Sequence, residues 1–299
     1  LVGSEMCIRD SLLLLLFIPL VCLSQIEGKQ HEQLILRGAT LVNSTGAPPL
    51  GPVDIVIEKN IITKIQNVGY PGVPISENRR PKLSKNGVEI NCEGSYILPG
   101  FIDTHGHIGG RSQGASPNYV FKLWIAHGIT SIREPGGSLS HELKLELKNK
   151  SEKNKIIAPR IYAFSTFNSR VESAEEAREW VRENKKKESD GIKFFGAAPE
   201  IMQAAIEENK KLGLRSTSHH AQLNVVRWNV LNSARAGLNS MEHWYGLPEA
   251  LFNDRIIQNY PPNYNYQNEQ DRFEEAGKLW KQAAEPFSEH WNSVMNELI

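Results

Sequence analysis

Residues 97–107, Ile-Leu-Pro-Gly-Phe-Ile-Asp-Thr-His-Gly-His, constrain the fold of this chain more than any other stretch. A Pro-Gly entry and an apolar run lead into two histidines one residue apart. Side chains on a strand alternate faces with period two, so the run predicts His105 and His107 on the same side of a strand end. Two imidazoles held side by side by the backbone make a ready half of a metal site, because neutral imidazole is a common ligand of zinc and similar cations. Further ligands then have to arrive from other strand ends.

The chain beyond His107 alternates strand-like and helix-like segments, which predicts βα units and a parallel sheet. A Gly-rich loop leads to "NYVFKLWIAHGITSIREPGGS", an apolar helix and a second strand. His127 sits in the connection from that helix into the strand and reads as structural. Arg133 and Glu134 fall at the far end of the strand, where they are candidates for a substrate pocket. "APRIYAFSTF" gives a third strand. Ser173 and Glu176 have the spacing of a capping box, which starts a helix near Ala174. "SDGIKFFGA" is a fourth strand with Lys193 inside it, and a buried lysine is costly unless paired or chemically altered. "PEIMQAAIEENKKLG" is a helix with Pro at its start and Gly at its stop. The fifth strand, "LRSTSHHAQ", ends in His219 and His220, of which ordinarily only one can face inward. A helix ending at Gly237 precedes "LNSMEH", which sets His243 at the tip of a sixth strand.

"LPGFIDTHGH", "DGIK" and "AGLNSMEH" resemble the strand-end signatures of the amidohydrolase superfamily. That resemblance implies an α/β fold, a (β/α)8 TIM-like barrel with a small β-sandwich beside it. About six of the barrel strands are legible here. It implies metal ligands at His105, His107, Lys193, His220 and His243, with His219 as the alternative to His220. His220 is preferred because the family's ligand is followed by a small residue, here Ala221. The family's strand-four lysine is carbamylated by CO2, and "DGIK" looks like that position. An ammonium repels a cation, whereas a carbamate offers oxygen ligands. The implied cofactors are one or two Zn2+ ions, or other divalent metals, and CO2 for the lysine.

The expected organisation is an adapter-like start plus signal peptide over 1–24, the first part of a β-sandwich over 25–96, the barrel over 97–246, and a loop and helical insertion over 247–299. Leu1–Asp10 reads as a translated adapter rather than a protein start. Leu12–Ser24 is too short to span a bilayer and suits a signal-peptide core, which predicts a secreted or periplasmic address. "QLILRGATLVN", "VDIVIEKNIITKI" and "VEINCEG" are strands separated by Pro and Gly clusters, with a hairpin at Glu58-Lys59-Asn60.

Thirty-four Lys and Arg balance thirty-four Asp and Glu, so no net field favours nucleic acid or an anionic membrane. Cys7 and Cys22 lie in the leader, and Cys92 reads as a structural thiol rather than a nucleophile.

Residues 244–299 read as loops and helices. Trp244 and Tyr245, just past the sixth strand, are pocket candidates, and Trp280 and Trp291 read as packing residues on a long polar helix. The resembled family places its catalytic Asp at the end of the last strand. Asp254 and Asp271 lie in loop or helical context, so the chain is expected to be an inactive fragment that folds poorly. Three functional readings follow. The first is a metal-dependent hydrolase of C–N bonds in small amides, cyclic amides or dipeptides, in the branch resembling imidazolonepropionases and prolidase-like dipeptidases. The second is a mononuclear deaminase or cyclic-amide hydrolase in which Lys193 stays unmodified. The third is an inactive binding protein on the same fold. The expected partner is a small molecule or short peptide, with homo-oligomer formation left open.

Overall fold

The computed structural model describes residues 30–137, 139–168, 170–255 and 257–299; the stretches expected to be an adapter-like start and a signal-peptide core lie outside them. The chain divides into two units, one made of residues up to Phe101 with 125–130 and 152–157, the other of 102–124, 131–151 and 158–299.

In the first unit, β1 (Gln33–Leu41), β2 (Leu50–Glu58), β3 (Ile61–Asn67), β4 (Val88–Asn91) and β5 (Tyr96–Ile97) form a mixed sheet. Its order is β3-β2-β1-β4, with β5 also on β1. The Glu58-Lys59-Asn60 turn joins an antiparallel pair, with Glu58 opposite Ile61. Ala39, Val53 and Ile55 make the buried face, and half-buried Cys92 packs against them. Asp54 is fully buried beneath this sheet, where it accepts from Gly38 N at 2.8 Å and from Arg37 at 2.8 Å. The pairing supplies what a buried carboxylate requires.

The remaining strands are β6 (Phe101–Asp103), β7 (Ile129–Glu134), β8 (Arg160–Thr166), β9 (Gly191–Phe194), β10 (Arg215–Ser218) and β11 (Ser240–Met241). They form a six-stranded sheet in sequential order, an incomplete parallel barrel. The helices are α1 (Pro117–Ala126), α2 (His141–Glu152), α3 (Ala174–Lys186), α4 (Pro199–Lys211), α5 (Val230–Ala236), α6 (Leu247–Ala250), α7 (Glu269–Lys278) and α8 (Glu289–Leu298).

Helix α3 begins where the capping residues predict: Ser173 Oγ accepts from Glu176 N at 3.2 Å, and the Glu176 carboxylate accepts from Glu172 N at 3.0 Å. The main core lies between α3, α4 and β9, built on Val181, Ile192, Phe194, Met202 and Ile206. Gly191 opens β9 because no side chain fits there. A Cβ would stand 2.5 Å from the Phe164 ring and 2.6 Å from the Arg215 carbonyl oxygen.

The single long polar helix expected after Asp271 is instead two helices. Pro286 lacks an amide hydrogen and excludes helical backbone at the residue before it, and Phe287 takes a positive φ of 67°. Trp280 and Trp291 pack around Leu251 and Val294, in keeping with a packing role. Among the described residues, no helix is long and apolar enough to cross a membrane.

Candidate functional site

Four imidazoles come into ring contact in the second unit. The centroids of His105 and His107 are 5.1 Å apart, those of His105 and His243 4.5 Å, and those of His219 and His243 5.1 Å. The local causes differ at each position.

His105 and His107 lie past the end of β6, so strand pleat does not align them. A bend does, held by Asp103 Oδ1 accepting from His105 N at 2.9 Å and by Gly106 N donating to the Arg133 carbonyl at 3.0 Å. His219 follows strand parity. Its amide donates to Phe194 O and the amide of Ala221 to Phe195 O, so the chain stays hydrogen-bonded to the end of β9 past Ser218 although the regular ladder ends there. Thr217, whose hydroxyl bonds Glu242, and His219, whose ring meets that of His243, share the inner face. His220 faces away, with its Nε2 2.8 Å from Ser233 Oγ on α5. Of the pair at the end of β10, the geometry brings His219 to the cluster and leaves His220 outside it. A small following residue is a weaker guide than the pleat.

His243 has the opposite origin. Parity in β11 points Glu242 inward, and His243 reaches the cluster because it and Trp244 take positive φ values of 58° and 56°. Such backbone costs a non-glycine residue about 1–2 kcal/mol, a strain typical of functional positions.

Charge fills the space behind the rings. Glu242 lies 2.5 Å from His105 Nδ1 and is bonded by Arg133 and Thr217. Burial pushes its carboxyl up, but these bonds and the nearby Lys193 and Arg133 charges outweigh burial and leave it at about 2. Glu134 Oε1 faces His107 Nδ1 at 3.2 Å, and its Oε2 accepts from Ile108 N at 2.7 Å. Arg133 also holds the Thr104 carbonyl and Ser240. The contacts of Arg133 and Glu134, both expected in a substrate pocket, fix the histidine loop.

Lys193 is 2% exposed, with its ammonium 5.3 Å from the centre of the Phe195 ring. Burial lowers it to about 8, against the pull of Glu242. Burial likewise holds His219 at about 3 and His243 at about 4, so both rings are neutral at pH 7. Tyr245 is buried, its ring 5.0 Å from His219 and 5.6 Å from His243, while Trp244 packs against Trp280 at 5.8 Å.

Among the described residues, no group of three or more His, Cys, Asp or Glu side chains is set to hold a metal ion. The donor chemistry nevertheless fits one. The Nδ1 atoms of His105 and His107 each face a buried carboxylate, an arrangement that would leave Nε2 for a metal, as in sites where a carboxylate orients the histidine ligand. Neutral imidazoles suit a borderline cation such as zinc.

Glu242 is not among the residues that the sequence patterns single out, although a Glu directly before a strand-end His is a signal.

Glu249, on α6, accepts from Gln258 Nε2 at 3.1 Å, and its other oxygen is buried without a partner. Burial raises its pKa above the ordinary 4.5. A carboxyl raised on folding contributes stability below its unfolded pKa, and that contribution is lost as pH climbs through the folded value. Glu249→Gln is therefore expected to have a higher urea midpoint than the parent at pH 8, with the gap closing as pH falls below about 4.5. A constant gap across that range would refute the assignment.

No family model matches the chain. An adenine deaminase of Staphylothermus marinus is 32% identical over 107 residues, which are 36% of this chain and 16% of that protein. A crystal structure of an Xaa-Pro dipeptidase with bound methionine superposes with a TM-score of 0.51 at 20% identity, covering 71% of this chain and 61% of that one. A prolidase complexed with N-methylphosphonate-L-proline gives a TM-score of 0.56 at 14% identity, covering 89% and 75%. The matched stretch is thus a small part of the curated relative, and the superposed part about two thirds of the solved chains.

The parallel sheet, with His105, His107, His219 and His243 gathered past its strand ends, has the fold of those solved structures. In sequence the chain is similar to adenine deaminases over about a third of its length, and in fold to a solved amidohydrolase.

Proposed function

We propose that this chain carries the metal cradle of a hydrolase that cleaves C–N bonds. The observation that carries this reading is the ring contact of His105, His107, His219 and His243, two of them backed by buried carboxylates, beside buried Lys193. His105 and His107 would hold one divalent ion, and Lys193, His219 and His243 would complete the site. A bound zinc ion supplies an acidified water and polarises the scissile carbonyl.

The chain's own residues do the rest. Glu242 and Glu134 orient the two imidazoles through Nδ1. Arg133 ties Glu242 to the Thr104 carbonyl and so locks the histidine bend to the end of β11. Tyr245 and Phe273 shield the ring cluster from water on the α7 side. Lys193 lies inside the sheet where carbamylation would join its neutral amine to CO2 through a new N–C bond, releasing one proton and replacing an ammonium with a carboxylate.

A second reading, a mononuclear deaminase with Lys193 unmodified, draws support from the adenine deaminase match. Metal content separates the two. In the binuclear case, Lys193→Ala is expected to lower bound zinc from about two per chain to about one or none, and intact mass in bicarbonate shows one added CO2 on the parent only. Equal zinc in both proteins and no added mass would favour the mononuclear site. No zinc uptake by the parent would overturn both readings.

A further inference from the structure

Away from the ring cluster, the first unit carries a surface turn with chemistry of its own. The connection between β1 and β2 contains Asn43-Ser44-Thr45, an Asn-x-Thr triplet of the kind to which oligosaccharides are attached in exported proteins. Every residue from 43 to 49 is exposed. The flanking strands pair at Leu41 and Leu50, so the loop projects from the end of an antiparallel pair.

The turn holds the triplet together. Asn43 Oδ1 accepts from the Thr45 amide at 3.1 Å and from Thr45 Oγ1 at 2.5 Å, an Asx turn that sets the third residue of the triplet on the carboxamide of the first. Thr45 Oγ1 in turn accepts from Ala47 N at 3.3 Å. Among the described residues, Asn43 Nδ2 has no hydrogen-bond partner, so the nitrogen that would carry a sugar is open. Gly46 follows with a φ of 77°, and a Cβ added there would meet nothing within 4 Å, so space surrounds the turn. Proline, whose fixed φ and missing N–H would disturb this geometry, is absent from 44–46 and enters only at Pro48 and Pro49.

The chain's other triplet of this kind, Asn149-Lys150-Ser151, provides the contrast. It lies within α2, where residues two apart do not face each other, and Ser151 Oγ donates to the Pro159 carbonyl at 2.8 Å.

We propose that Asn43 is an N-glycosylation site. The donor is an oligosaccharide carried on a polyprenyl pyrophosphate. Asn43 Nδ2 forms a bond to the anomeric carbon, the bond from that carbon to the pyrophosphate oxygen breaks with its electron pair on the leaving pyrophosphate, and the amide gives up one proton. The acceptor stands on the triplet and its turn; its use by the cell rests on the export expected from Leu12–Ser24.

The whole chain, started with Met, is produced in an animal-cell secretory host in two forms, one with its own N-terminus and one with 1–24 replaced by a cleavable leader of known function. Secreted and cell-retained protein are both scored, so a chain that folds poorly still counts. Peptide:N-glycosidase is expected to remove a mobility shift from the parent, and mass spectrometry to find aspartate at position 43 only after the enzyme acts. Thr45→Ala abolishes that aspartate, Thr45→Ser retains it, and Ser151→Ala leaves it in place. Asparagine still at position 43 after treatment of the leader-replaced form, or a shift that survives Thr45→Ala in full, would overturn the proposal. Modification in the leader-replaced form alone keeps the acceptor and removes the export expectation.

Discussion

Replacing His219 with alanine is expected to weaken zinc binding about a hundredfold, while His220→Gln leaves it within about twofold. Small zinc sites derive about 10–16 kcal/mol from four ligands, so one ligand is worth roughly 3 kcal/mol, or about two decades of affinity. His219 is assigned that share because its ring meets that of His243 at 5.1 Å, whereas His220 turns away to Ser233. His220 has another task. Ser233 Oγ lies 2.8 Å from its Nε2 and 2.7 Å from Trp228 Nε1, and Gln at position 220 preserves an acceptor for the serine. Competition against a zinc chelator reads both affinities, and circular dichroism checks that the His220 variant keeps its fold. The reverse ranking, with His220→Gln losing the metal, would return the ligand to His220.

Glu134→Ala is expected to destabilise the second unit by about 3–5 kcal/mol, the range seen when one partner of a buried charged contact is removed. Three groups depend on that carboxylate. The buried Ile108 amide donates to it at 2.7 Å, His107 Nδ1 lies 3.2 Å away, and its charge favours the ionised form of Lys144. Lys144 is 1% exposed, donates to the Phe164 carbonyl at 2.8 Å, and is lowered by burial, so the loss of a compensating carboxylate falls on a group with little access to water. Glu134→Gln keeps an acceptor for Ile108 and is expected to cost only about 1–3 kcal/mol. Denaturant unfolding of the two variants measures the difference. An alanine variant within about 1 kcal/mol of the parent would show that Glu134 acts as a pocket residue after all, rather than as the anchor of the histidine bend.

Much of the site is legible in the amino-acid sequence because each signal is local. The His-x-His pair, the lysine inside "GIKF" and the His closing "SMEH" all fall where a βα unit changes from strand to loop. The capping residues Ser173 and Glu176 set a helix start within one residue, because a cap is a contact between neighbours in sequence. Arg133 and Glu134 illustrate the opposite case. Their place at a strand end suggests a pocket, but their partners are 26 to 109 residues away, at Thr104, His107, Ile108, Ser240 and Glu242. Nothing in the residues beside them announces those contacts.

By itself, then, the sequence determined the alternation of strands and helices and the positions of the metal-suited side chains, since both follow from period and from residue chemistry. The tertiary structure decided which face each side chain takes. The bond between His220 and Ser233 turned His220 away and left His219 to the cluster, and the left-handed backbone at His243 and Trp244 overrode the parity of β11. Those outcomes depend on hydrogen bonds and packing between residues distant in sequence, which no local pattern records.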